Sequence, residues 1–206
     1  MKIDEIKKFA KANLDDLNYF HTKAVVELAL KIAEKEGADK EIVKAAAWLH
    51  DIGKIKKQAK TGPHHLLSVE IAKKLLKEQG CDKKFIERVC ACVKEHVGPY
   101  SQILLDKVKE AGLTEADIPR PSTTESKCVY DADMINYMGP WGTSKVIFLE
   151  AKKGTLFRDV IKQRKIMPKI IFDDLKTETG KELGKKELEF IQEFMKKINV
   201  EEQKCK

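Results

Sequence analysis

Long apolar runs are missing from this chain. No window in its 206 residues approaches the roughly 18 consecutive apolar side chains that a membrane-spanning helix needs. The opening residues, Met1-Lys2-Ile3-Asp4-Glu5, lack the apolar core of a secretory leader, so neither export nor membrane insertion is expected. Cysteine is sparse and unpaired in pattern. Five residues (Cys81, Cys90, Cys92, Cys128 and Cys205) form no C-x-x-C, and their odd number argues against a disulfide framework, which points to a reducing, cytoplasmic setting. With 11 glycines and 6 prolines the chain is too poor in turn formers for a turn-dense sandwich. No run of alternating β-branched residues is long enough to force a sheet. Internal repeats, a Gly-rich phosphate loop and a G-x-S-x-G elbow are all absent, which removes the usual sequence grounds for a nucleotide-binding P-loop or a serine hydrolase.

What the chain does contain is charge and helical periodicity. Apolar residues make up 42% and charged residues 35%, the balance of a helix-rich protein large enough to bury a core alone. The 40 basic and 33 acidic side chains leave a net charge of +7, which favours anionic small molecules. Most lysines alternate with glutamate on helix faces and read as solvated surface. The basic C-terminal stretch has neither interleaved aromatics nor a known binding module, so nucleic acid is an unlikely partner and a packing helix is expected there.

Periodicity predicts helices over residues 2–13, 21–36, 39–50, 64–79, 82–97, 102–112, 122–138, 143–152, 155–177 and 181–199, with an irregularity at Pro168. Asp39 and Asp82 are the expected N-caps and Gly37 a C-terminal stop. His21, Val25, Leu28 and Ile32 recur at i, i+4, i+7 and i+11, a stripe that turns His21 inward; Val89, Val93 and His96 repeat the pattern. Leu67, Ile71, Leu75 and Leu76 are the expected inward face of the helix that opens at His64-His65. Residues 54–63 (KIKKQAKTGP) form a basic loop. Cys90 and Cys92 stand two apart on a helix, which sends their sulfurs to opposite sides, and they read as small packing residues.

The stretch Trp48-Leu49-His50-Asp51-Ile52-Gly53-Lys54 ends a run of small and apolar residues with an imidazole beside a carboxylate, the ligand mixture favoured by borderline divalent metals. Taken singly, an inward histidine is usually a hydrogen-bonded core residue. Four of them (His21, His50, His64, His96), together with Asp51 and the pair Asp131-Ala132-Asp133, make a different case. Burying several imidazoles and carboxylates without a cation is expensive, so convergence on a metal is expected. Asp131 and Asp133 lie about 200° apart on a regular helix, so one of them must face elsewhere. His65, beside His64, is expected to be exposed. Glu95, beside His96, is given no role.

The order His21, His50-Asp51 and late Asp133, with the spelling His-Asp-Ile-Gly-Lys, resembles the HD superfamily of metal-dependent phosphohydrolases over roughly residues 21–138. The resemblance implies an all-α, HD-domain-like multi-helix bundle: one domain over 1–206, its metal-binding core at about 18–140 and a C-terminal helical extension at about 141–200 packed on that core. It implies that His21, His50, Asp51 and Asp133 hold one divalent ion, Asp133 being chosen over Asp131 by the family pattern. His64 and His96 resemble the additional histidines of members that bind two ions, with Asp51 as the bridge. In a one-ion site they would instead contact phosphate or water. Mn, Fe, Co, Ni, Zn or Mg would each suit. The implied reaction is attack of metal-bound hydroxide on phosphorus in a phosphorylated small molecule, chiefly a nucleotide, with Asp51 and Lys54 as catalytic residues and Lys54 also contacting the substrate phosphate. Lys56, Lys57 and Lys60 could add to that contact. The alternative is a non-catalytic nucleotide sensor on the same scaffold. Which bond is cleaved is left open, and a homo-oligomer is compatible with all of this.

Overall fold

Three aspartates set the helix starts in the first half of the chain. In the computed structural model, which describes residues 3–55, 63–98, 109–110, 112, 114 and 117–204, Asp15 accepts a hydrogen bond from Asn18 N at 2.8 Å, Asp39 accepts from Glu41 N and Ile42 N, and Asp82 accepts from Phe85 N at 2.9 Å. Each satisfies orphan N–H groups of a first turn. The helices are α1 (Ile3–Asn13), α2 (Asp16–Glu36), α3 (Lys40–Leu49), α4 (His64–Glu78), α5 (Lys83–Glu95), α6 (Thr124–Met138), α7 (Pro140–Lys152), α8 (Phe157–Asp173) and α9 (Glu178–Lys204), with a short 3₁₀ turn at Ile52–Lys54. No strand occurs among the described residues, and no helix in them is long and apolar enough to cross a membrane.

Several boundaries differ from the sequence expectation. The segment 14–20, which lies between the helices predicted at 2–13 and 21–36, is mostly helix, because the Asp15 cap starts α2 at Asp16 and puts His21 in its second turn. Helix α7 starts at Pro140, after Gly139 as its N-cap, rather than at the predicted 143, proline at a helix's first position costing no hydrogen bond. Helix α8 runs through Pro168, which is buried. The helix expected at 102–112 and Lys56, Lys57 and Lys60 of the basic loop fall largely or wholly outside the described residues.

The chain divides into two compact units, Met1–Asp133 and Met134–Lys206. In the first, α3 is the hub, packed by α1, α2 and α5. That explains its sequence: Ala45, Ala46 and Ala47 are fully buried and let neighbours approach closely, while Ile42, Val43 and Leu49 fill the space between them. Burying each of these larger side chains contributes about 2 kcal/mol. Helix α4 packs on α5 and on the 3₁₀ turn, and its inward face differs from the expected one. His65, Ser68, Ala72 and Leu76 are buried, while Leu67, Ile71 and Leu75 are half-covered. Gly53 dictates this phase. A Cβ there would overlap the carbonyl oxygen of His64 and lie 2.8 Å from Ser68 N, so α4 must present small groups to the turn.

In the second unit, α8 and α9 close around Ile161, Ile191 and Met195, with Ile198 against them. Arg164 of α8 is fully buried, and its Nη2 donates to Tyr137 O (3.1 Å), Met138 O (3.0 Å) and Thr143 Oγ1 (2.8 Å). The two carbonyls belong to the last turn of α6, where a helix has no further N–H of its own to offer.

Candidate metal centre

The cluster is built where α3 stops. His50 closes the helix in right-handed geometry, and Asp51 adopts φ −102°, ψ 10°, the bridge region between helix and strand. That one non-helical residue turns the Asp51 carboxylate into the space reached by α2, α4, α5 and α6. The 3₁₀ turn that follows is pinned to α4 by Gly53 N, which donates to Ser68 Oγ at 2.8 Å.

Two imidazole pairs flank Asp51, one on each carboxylate oxygen. On the Oδ2 side, His21 Nε2 lies 3.4 Å and His50 Nε2 3.6 Å away, and the two nitrogens are 3.3 Å apart. Asp133 joins this side from α6, its Oδ1 being 3.1 Å from His21 Nε2 and 3.9 Å from His50 Nε2. On the Oδ1 side, His64 Nε2 lies 3.4 Å and His96 Nε2 3.5 Å away, with 3.2 Å between them. The sets His21, His50, Asp51 and Asp51, His64, His96 each gather three donor atoms within 4.8 Å of one another, close enough to hold a metal ion. Asp133 approaches the first set without belonging to that tight group.

The tautomers favour a cation. His50 Nδ1 donates to Ala47 O and His96 Nδ1 to Val93 O, both at 2.7 Å, since a carbonyl can only accept. Each bond fixes the ring and leaves Nε2 with its lone pair facing Asp51. Asp51 is 1% exposed, and its Oδ1 makes no hydrogen bond among the described residues. A carboxylate oxygen and an imidazole lone pair thus face each other in a buried space, an arrangement that a divalent ion satisfies and an empty core does not.

Electrostatics agree. Burial pushes His50 down to about 4, against the pull of Asp51 and Asp133, so its imidazole is neutral and ready to coordinate. His64 is held well below its usual value, first by burial and then by the Lys54 charge. Burial would raise Asp51, but the Lys54 charge first, and then the imidazoles of His50, His21 and His96, outweigh it and hold the carboxyl well below its ordinary value, ionised. Asp133 is likewise held low, burial being overcome by its hydrogen bond to His21. Lys54 Nζ sits 2.6 Å from Asp51 Oδ2, with its side chain 34% exposed.

The structure therefore brings together all six residues expected to converge, and Lys54 with them. Asp133 meets His21; Asp133 and Asp131 are largely and fully buried, on different faces of α6. His65 is a correction: it is 2% exposed because the turn at Gly53 rotates α4 so that His65 and Ser68 share its inward side. Cys92 is buried packing, as expected, and Cys90 is half-buried against Val69 O. Sequence reasoning missed the supporting groups. Ser68 holds the turn, and Glu95 accepts from Ser122 N and Oγ, joining the end of α5 to the start of α6. The signals were a glycine two residues after Asp51 and a serine one turn beyond His64.

Comparison with known proteins places this arrangement in a family. One curated relative, tRNA (cytidine(56)-2'-O)-methyltransferase from Thermoplasma volcanium, is 36% identical over 113 residues, 55% of this chain and 30% of that protein. The protein of the same name from Picrophilus torridus is 32% identical over 121 residues, 59% of this chain and 32% of its own length. The chain thus spans about a third of the length of these relatives. Among solved structures, YpgQ of Bacillus subtilis superposes with a TM-score of 0.74 at 22% identity, covering 97% of this chain and 94% of that one, and YpgQ has also been solved in complex with ADP. At that identity the likeness is one of fold. The family model described as HD domain matches residues 18–138, more than half of the chain and the span that carries every residue of the cluster. The chain belongs to the HD-domain family.

Proposed function

We propose that this chain is a divalent-metal-dependent phosphohydrolase with a two-ion centre and a nucleotide substrate. One observation carries the reading: the two oxygens of a single buried carboxylate, Asp51, each face a separate imidazole pair. His21, His50 and Asp133 would hold one ion with Asp51 Oδ2, and His64 and His96 the other with Asp51 Oδ1. Ions held there lower the pKa of a bound water toward neutrality and polarise a phosphoryl oxygen.

The chain's own residues then have defined tasks. The Nδ1 bonds of His50 and His96 to backbone carbonyls keep their Nε2 atoms aimed without a rearrangement. Asp51 holds both sides in register. Lys54 now pairs with Asp51 Oδ2, and its partly exposed ammonium lies close enough to turn to a substrate phosphate and offset its charge. A nucleotide substrate is supported by the ADP complex of YpgQ, whose fold this chain shares, and by the basic sequence around Lys54. A monoester, an anhydride and a cyclic diester all fit this chemistry.

The test is phosphate or nucleotide release from a panel of nucleoside mono-, di- and triphosphates and cyclic nucleotides with Mn²⁺, Co²⁺ or Mg²⁺, alongside metal analysis of the purified protein. Turnover of at least one nucleotide, abolished by chelation and restored by metal, is expected. Failure on every phosphorylated compound by a metal-loaded protein would overturn the enzymatic reading.

A further inference from the structure

Apolar exposure is concentrated late in the chain. Of the ten large apolar side chains that stand exposed among the described residues, all but Phe20 belong to the second unit. On α9 the exposure has a pattern. One face of this 27-residue helix turns into its own unit through Gly184, Leu188, Ile191 and Met195. Beside that face, Leu183, Glu187, Phe190 and Phe194 recur at i, i+4, i+7 and i+11, a second stripe in which Phe190 is 54% and Phe194 41% exposed. Glu187 does not break the stripe with charge. A Cβ on Gly139 would lie 2.9 Å from its Oε2, so the carboxylate is turned to the start of α7 and the methylene stem stays among the apolar groups. The outer border of the stripe carries Glu182, Lys186, Glu193 and Lys197 in that order, all exposed. Glu193 and Lys197 approach each other only to 4.0 Å, an exposed pair that contributes little to the helix.

The order of those charges identifies the occupant. In a parallel pair of α9 helices the charged border would meet the partner's opposite border, which is already packed on its own unit. In an antiparallel pair related by a two-fold axis, the charged border meets itself. With the axis crossing α9 between Glu189 and Phe190, Lys186 stands opposite the partner's Glu193 and Glu182 opposite the partner's Lys197, each pair being made twice. The same axis sets Phe190 against the partner's Phe190 and drops Phe194 between the partner's Leu183 and the partner's Glu187, a knob into a hole. A slip of one turn one way sets Glu182 against the partner's Glu193, and the other way Lys186 against the partner's Lys197. Repulsion therefore guards the register that attraction selects. We infer that α9 is a dimerisation surface on which a second copy of this chain docks antiparallel, Phe190 and Phe194 forming its centre and the Lys186 to Glu193 pairs its rim. One helix face per chain makes a small, non-obligate interface, so a dissociation constant in roughly the micromolar range is expected.

The inference does not depend on the proposed phosphohydrolase activity, and its test reads mass rather than turnover. Sedimentation equilibrium of the full chain from about 1 to about 200 µM should show a reversible monomer to dimer transition. Phe190→Glu/Phe194→Glu changes only exposed side chains, so its helical circular dichroism should persist while association weakens at least about tenfold. The charge variants test the register. Lys186→Glu alone and Glu193→Lys alone each set like charges across the axis and should weaken association about threefold or more, and the double swap Lys186→Glu/Glu193→Lys should restore it to within about twofold. A chain that stays monomeric throughout the range would overturn the assignment, and if it then pelleted with phosphatidylglycerol vesicles the stripe would belong to a lipid surface instead. A dimer indifferent to the phenylalanine variant, or a double swap no better than the single variants, would equally overturn it.

Discussion

The two sides of Asp51 are built from the same atoms but are not equally enclosed. On the Oδ2 side both imidazoles come from packed helices, His50 at the end of the hub α3 and His21 on the inward stripe of α2, and Asp133 brings a second carboxylate. On the Oδ1 side His96 is similarly buried, but the His64 side chain is 20% exposed and begins α4, with no second carboxylate beside it among the described residues. Ligands fixed by packing lose less freedom on binding, and two carboxylates attract a divalent ion more than one. The Oδ2 side should therefore hold its ion more tightly and the Oδ1 side release its ion first.

The most severe way to break this asymmetry is to remove what both sides share. Asp51→Ala should abolish metal binding on both sides and reduce turnover about a thousandfold or more, while the helical circular dichroism persists. Next in size is a split between the two sides. His64→Ala should lose one equivalent of metal and about a hundredfold in turnover but keep the other ion, whereas His50→Ala should lose the tighter ion. Metal stoichiometry against free-metal concentration reads both.

In acid the two sides should behave alike. Unfolded His50 takes up a proton as pH falls through 6.5, while the folded residue resists until about 4, so stability is full above 6.5 and declines between those values. For this group alone the loss is at most about 3 kcal/mol. His64 shifts in the same direction, and Asp51 and Asp133, held low, add losses as pH falls through their folded values. Urea midpoints of metal-stripped protein from pH 8 to 4 should fall accordingly; a flat profile would contradict burial of neutral imidazoles. The smallest expected effect is Lys54→Gln, which should raise KM for a nucleotide about tenfold and leave metal content intact, read by steady-state kinetics.

Much of this was legible in the sequence because helical periodicity reports burial directly. The stripe through His21 and the one through His96 each put an imidazole on an apolar face, and the structure finds both there. Asp39 and Asp82 were readable as caps from chemistry alone. The phase of α4 was not, since Leu67, Ile71 and Leu75 outweigh Ser68 and Ala72 in any hydrophobic count. Close approach of backbone at Gly53 decides that phase, and close approach is a tertiary fact. The start of α2 was missed for a related reason: Asp15 and Asp16 are adjacent, and only the bond from Asn18 N shows which one caps. Arg164 was invisible as a buried residue because its partners are two backbone carbonyls and one hydroxyl on other helices, which leave no trace in spacing.

The central claim, one carboxylate bridging two ion sites, is tested most directly by anomalous diffraction from crystals grown with Mn²⁺. The account predicts two peaks, one within coordination distance of Asp51 Oδ2, His21 and His50, and a second, of lower occupancy at limiting metal, beside Asp51 Oδ1, His64 and His96. No peak among these residues at saturating metal would contradict it.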